Sequence, residues 1–140
     1  MNVFFDSSAL AKRYIQEAGS DRVEAILSSA SALGVSVLCL SEIISALCRR
    51  RREGKLSRQQ YLEAKRALFS DIEDASVVAI TDQVVARAVE LLEHWPLRCS
   101  DSLQVACATE WSAQLFVSAD GRQCTAAKAY GVRVEELKPG

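Results

Sequence analysis

The feature that most constrains this chain is the alternation of short apolar runs with longer stretches of helical spacing, from the first residues to the last. Asn2-Val3-Phe4-Phe5, Val35-Ser36-Val37-Leu38-Cys39, Val77-Val78-Ala79-Ile80, Leu115-Phe116-Val117 and Val132-Arg133-Val134 read as strands. Runs of this kind suit strands covered on both faces, as in a parallel sheet. Between them apolar residues recur at i, i+3 and i+4, the spacing of helices that bury one face. Without internal repeats or low-complexity segments, this alternation predicts one α/β domain over residues 1–140 around a mostly parallel sheet. A chain of 140 residues buries enough apolar surface to fold without disulfide or metal staples.

Local signals punctuate the helices. Ser7 or Ser8 is a candidate N-cap after the first strand, and helical spacing continues from Ala9 to Gly19. Asp21 with Glu24 suggests a capping box on a second helix, and Ser57 with Gln60 suggests another. Gly54 suits the C′ position behind Arg49-Arg50-Arg51-Arg52, where cations complement the helix dipole. Trp95-Pro96 ends the helix that Thr81-Asp82 begins, and a final helix runs from Arg122 to Tyr130. Glu42 to Asp74 forms a helical hairpin between two strands, with Leu47, Tyr61 and Leu68 as a candidate homodimer surface. Asp71, Glu73, Asp74 and Asp82 read as solvated helix-end charges, and Trp95 and Trp111 as packing residues.

Composition narrows the function classes. A net charge of −1 gives no global attraction to nucleic acid or anionic membrane, so a nucleic-acid partner would need a local basic patch. The five cysteines contain no CxxC pair, and Cys39, Cys48 and Cys107 fall in apolar stretches, which suits small core residues in a reducing, cytoplasmic compartment. A single histidine, His94, excludes His-rich zinc sites. No basic leader precedes an apolar segment, and no stretch is long enough to span a membrane.

What remains is acidic. Asp6, Glu42 and Asp120 each fall within a few residues of a strand's carboxyl end, where open α/β sheets collect their ligands. Asp101 opens a mostly apolar helix that can bring it to the same edge. Carboxylates gathered in one cleft raise each other's pKa unless a cation neutralises them. Oxygen-only ligation suits Mg²⁺ or Mn²⁺, with phosphoryl chemistry as the natural use. The competing reading of each acid is a helix cap or dipole partner.

The Phe4-Phe5-Asp6-Ser7-Ser8 opening, the Ser41-Glu42 helix start, Leu97-Arg98-Cys99-Ser100-Asp101-Ser102-Leu103-Gln104 and Phe116-Val117-Ser118-Ala119-Asp120 together resemble the PIN domain family, most closely the VapC-type ribonuclease toxins. The resemblance spans essentially the whole chain. It implies a three-layer α/β/α sandwich and an Mg²⁺- or Mn²⁺-dependent endoribonuclease acting on RNA. It also implies a small antitoxin partner and frequent dimerisation. Asp6, Glu42 and Asp101 match the family's acidic core, Asp120 its more variable fourth position, and Ser8 and Ser118 its supporting hydroxyl residues. Gln104 departs from the family pattern, where histidine is common.

In the mechanism this implies, Asp6 and Asp101 hold the metal most directly, while Glu42 and Asp120 complete its shell or orient the attacking water. Arg98 is a phosphate-contact candidate, and Arg49–Arg52 could track an RNA backbone or bind acidic antitoxin residues. A phosphoacceptor receiver domain would need an acidic pair after the first strand and a lysine at a late strand end, and Phe4-Phe5-Asp6 offers one acid. Two further readings compete with the toxin: a nuclease that acts on DNA or a PIN nuclease that processes RNA outside any toxin system, and an inactive PIN-like scaffold that binds nucleic acid.

Overall fold

The computed structural model describes residues 1–140. Strands β1 (Asn2–Phe5), β2 (Ala32–Ser36), β3 (Ser76–Val78), β4 (Leu115–Ser118) and β5 (Val134–Glu136) form one sheet in the order β3-β2-β1-β4-β5. Every neighbouring pair is parallel. Helices α1 (Ser7–Leu10, continued by a 3-10 turn over Ala11–Arg13) and α2 (Ser20–Ser29) connect β1 to β2, and α3 (Cys39–Arg52) and α4 (Arg58–Glu73) connect β2 to β3. Helices α5 (Asp82–His94), α6 (Cys99–Glu110) and α7 (Gly121–Ala129) lie in the second half of the chain.

The alternation of side chains along each strand makes the three layers. Val3 and Phe5 of β1, Val35 of β2 and Val117 of β4 join a core with α1 to α4, through residues such as Leu10, Ile26, Ile43, Leu47 and Leu68. Phe4 and Phe116 point the other way, into a core with Val84, Ala88 and Leu91 of α5, Val105–Ala108 of α6 and Ala126–Ala127 of α7. The result is the expected α/β/α sandwich. Gly34 shows how closely the second core approaches the sheet. A Cβ there would lie 2.5–2.8 Å from Trp111 ring atoms. Trp111 also packs on Phe4 (ring centroids 6.2 Å apart), so it is a packing residue as expected.

Several local expectations shift. The second strand lies at Ala32–Ser36, because the apolar run through Leu38-Cys39 belongs to a turn and to the first residue of α3. The last strand is Val134–Glu136, since its place is set by pairing with Phe116–Ser118 and not by its own hydrophobicity. Asp6 itself caps α1 by accepting from the Ala9 N–H, in place of Ser7 or Ser8, and regular helix stops well before Gly19. Gly19, at φ +92°, occupies the N-cap of α2, so Asp21 and Glu24 form no capping box. The box at Ser57 and Gln60 is present, and Gly54 (φ +74°) follows the C-cap of α3. Leu47 and Leu68 are fully buried within the chain's own core and cannot form a dimer face. The exposed large apolar residues of the helices are Leu62 and Phe69 on α4 and Val85, Val89 and Leu92 on α5. Asp71 is no free helix-end charge either: it accepts from the Tyr14 hydroxyl at 2.6 Å and from Arg13 Nε at 2.7 Å. Cys39 and Cys107 are buried, Cys48 is half-buried, and no cysteine is disulfide-bonded. No helix is long and apolar enough to cross a membrane.

Candidate functional site

The strand order reverses beside β1, with β2 on one side and β4 on the other. In parallel sheets such a switch point leaves a crevice at the carboxyl edge. Asp6 follows β1, Asp120 follows β4, Glu42 lies in the first turn of α3, and Asp101 lies in the first turn of α6. All four line one cleft of about 390 Å³ without a hydrophobic residue on its walls. Ser7, Ser8, Arg49, Arg98, Gln104 and Gln123 share those walls. The topology thus brings together the four acids singled out in the sequence.

Asp6 is the most deeply placed, at 1% exposure. Its Oδ1 accepts from the Ala9 N–H at 2.9 Å, and its Oδ2 from Ser118 Oγ at 2.7 Å. Ser8 Oγ stands 2.8 and 2.9 Å from the two oxygens. These hydrogen bonds favour the ionised form but do not offset burial. Desolvation, with a smaller contribution from the nearby Asp120, pushes the Asp6 carboxyl up from 3.8 to about 6. Capping α1 and facing the cleft are therefore both functions of the same carboxylate. Ser8 and Ser118 extend the support: they accept the Ala119 and Asp120 N–H groups at 3.2 and 2.9 Å.

The other acids are held mostly by neutral donors, Asp101 alone also meeting an arginine. Glu42 Oε1 accepts from Ser7 Oγ at 2.7 Å and from Gln104 Nε2 at 2.6 Å. Asp101 Oδ1 accepts from Gln123 Nε2 at 3.0 Å, and its Oδ2 pairs with Arg98 Nε at 3.1 Å. Arg98 is 81% exposed, so this pair is screened and contributes little to stability. Asp120 caps α7 through the Arg122 and Gln123 N–H groups. The sequence did not reveal Gln123, nor the roles of Ser7 and Gln104. The available signal was a polar residue three positions after a capping Asp, on a helix face otherwise made of Cys124, Ala126 and Ala127. Cys39, beneath the cleft, is no rival nucleophile, because burial pushes its thiol up to about 12.

The cleft thus sets four carboxylates against two arginines, and of the four only Asp101 is ion-paired. No three of the acids close around a single point. The donor chemistry nevertheless fits a hard divalent cation: carboxylate, hydroxyl and amide oxygens, with no imidazole or thiolate among the lining side chains. Two buried acceptors without partners, Gln104 Oε1 and Gln123 Oε1, belong to residues of the same walls. A buried acceptor left unpaired costs about 1–3 kcal/mol, a cost set against the hydrogen bonds that the same two amides donate to the acids.

The family model for the PIN domain matches residues 3–129, a span that contains all four acids. This chain belongs to the PIN domain family. Among solved structures, this PIN domain is similar to FitAcB from Neisseria gonorrhoeae, with a TM-score of 0.73 and 15% identity, covering 94% of this chain and 95% of that one. It is also similar to VapC20 from Mycobacterium tuberculosis, described as a sarcin–ricin-loop-cleaving toxin (TM-score 0.67, 20% identity, 98% and 99% covered). A third is a toxin–antitoxin complex from Klebsiella pneumoniae (TM-score 0.64, 12% identity, 86% and 88% covered). At these identities the likeness is one of fold. No curated protein matches the chain.

Proposed function

We propose that this PIN domain is a divalent-cation-dependent endoribonuclease and the toxin of a toxin–antitoxin pair. The observation that carries the reading is the buried Asp6 carboxylate, without a cationic partner, in an apolar-free cleft shared with Glu42, Asp101 and Asp120. Such a site costs stability and is worth keeping only if a ligand of opposite charge uses it. VapC20's description as a sarcin–ricin-loop-cleaving toxin, and the toxin–antitoxin complexes among the structural neighbours, support RNA as substrate and a small antitoxin as partner. A homodimer acting in the cytoplasm completes the proposal.

Asp6, Asp101, Glu42 and Asp120 would hold Mg²⁺ or Mn²⁺. A cation there supplies Lewis-acid activation of water and charge neutralisation at a phosphodiester. The chain's own residues supply the rest. Ser8, Ser118 and the Ala9 N–H fix both oxygens of Asp6, so its orientation is set before substrate arrives. Ser7 and Gln104 fix Glu42 across the cleft, where it can accept a proton from an attacking water. Arg49 and Arg98 line the same cleft and can meet the phosphates of a bound strand, which an otherwise acidic surface would repel.

The test is a panel of total RNA, defined RNAs and matched DNA, incubated with the purified protein in Mg²⁺, Mn²⁺ or EDTA. Cleavage of RNA alone, abolished by EDTA, is the expected result. Cleavage of DNA would move the reading to another PIN nuclease class, and a folded, cation-binding protein that cleaves nothing would indicate a binding scaffold.

A further inference from the structure

Two side chains in the cleft are neither acids nor cations, yet their amides are directed at its acids. Gln123, on α7 and 3% exposed, directs Nε2 to Asp101 Oδ1 at 3.0 Å and to Asp120 Oδ2 at 3.5 Å. Gln104, on α6 and 2% exposed, directs Nε2 to Glu42 Oε1 at 2.6 Å and to Ser7 Oγ at 2.9 Å. An ionised carboxylate only accepts, so the orientation of each amide is dictated: the NH₂ group must face the acids. That choice leaves both Oε1 atoms buried and without partners. Gln123 therefore gives up a hydrogen bond of its own to bridge two carboxylates carried by different helices.

We propose that Gln123 is a positioning residue of the cation site, bridging Asp101 and Asp120 and thereby setting the affinity for a divalent cation. The inference rests on the nuclease reading above. Its physical basis is the choice of a neutral donor. Two carboxylates facing each other repel, and an arginine between them would relieve that repulsion by occupying the place of the cation. An amide holds the two acids with partial charge alone and adds no cation to the one exposed arginine, Arg98, that already pairs with Asp101 Oδ2. The bridge also ties α6 to α7 at the cleft, because Asp101 lies in the first turn of α6 and Asp120 caps α7. Gln104 does the same for Glu42, anchoring it to α6 and to Ser7.

The test measures Mn²⁺ binding to the full chain at pH 7.5, by the electron paramagnetic resonance signal of free Mn²⁺. Wild type is compared with Gln123→Met, which keeps the length and removes the donors. Residues that orient a metal's ligands typically change affinity by about 10–100-fold, and a loss in that range is expected here. Gln123→Asn, one methylene shorter, loses the reach to Asp101; it should show a loss in the same direction and carries the test if the methionine variant does not fold. A purely structural role for Gln123 would lower the Tm in EDTA and leave the Mn²⁺ affinity of the folded protein unchanged. Equal binding by wild type and folded variants overturns this inference and leaves the nuclease reading intact. A wild type that binds no Mn²⁺ overturns both.

Discussion

Replacing Asp6 by Asn should remove activity and make the metal-free protein more stable at neutral pH. Burial raises the Asp6 carboxyl from 3.8 to about 6. A carboxyl whose pKa is higher folded than unfolded holds its proton more tightly in the folded state. Its ionisation therefore lowers stability as pH rises from about 4 to about 6, and the loss persists at higher pH. At about 1.4 kcal/mol per tenfold change in proton affinity, the full penalty is about 3 kcal/mol. Asn does not titrate and keeps an oxygen for the Ala9 N–H. Its NH₂ group, however, must be accepted by the Ser8 and Ser118 hydroxyls, which already accept from Ala119 and Asp120. Allowing that crowding to offset roughly half of the gain leaves about 1–2 kcal/mol. For a chain of 140 residues the gain is a rise in Tm of about 3–7 °C. Thermal unfolding followed by circular dichroism in EDTA, at pH 7.5 and again at pH 4, measures it directly. The advantage of Asn over Asp should be largest at pH 7.5 and shrink toward pH 4. A variant no more stable than wild type at pH 7.5, or a difference independent of pH, would refute the reasoning.

Other perturbations test the scaffold. Ser112 adopts φ +61° just after α6, so Ser112→Gly should stabilise the protein by about 1 kcal/mol in urea unfolding without changing activity. Gly34→Ala forces a methyl group into the Trp111 ring and should cost about 1–3 kcal/mol, visible as a lower urea midpoint. Phe116→Ala empties a fully buried position stacked on Phe4 and should cost about 3–5 kcal/mol by the same measurement.

The layers were legible because parallel strands carry their own signal: Phe4 and Phe116 face one core while Phe5 and Val117 face the other. The four acids were legible for a related reason. Each sits at a strand end or in a helix's first turn, positions that chain order reveals. Contacts across the cleft were not legible. Gln123 meets Asp101 only because α7 packs beside α6, and no local pattern encodes that register. Strand edges failed where hydrophobicity and pairing part company: Leu38-Cys39 is apolar but leads into α3, and Glu135-Glu136 is acidic but pairs with β4. The hairpin's Leu47 and Leu68 had the spacing of a buried stripe, and only the fold shows that the chain covers it internally.

The central claim is that the acids in this cleft cut RNA with the help of a divalent cation. Its most direct test sets wild type beside Asp6→Asn, at equal concentration, on total RNA with Mn²⁺ and with EDTA. Cleavage by wild type in Mn²⁺ alone, absent from the folded Asp6→Asn protein, is the predicted result. Cleavage that persists in Asp6→Asn, or in EDTA, would contradict the account and remove the acidic cleft as its source.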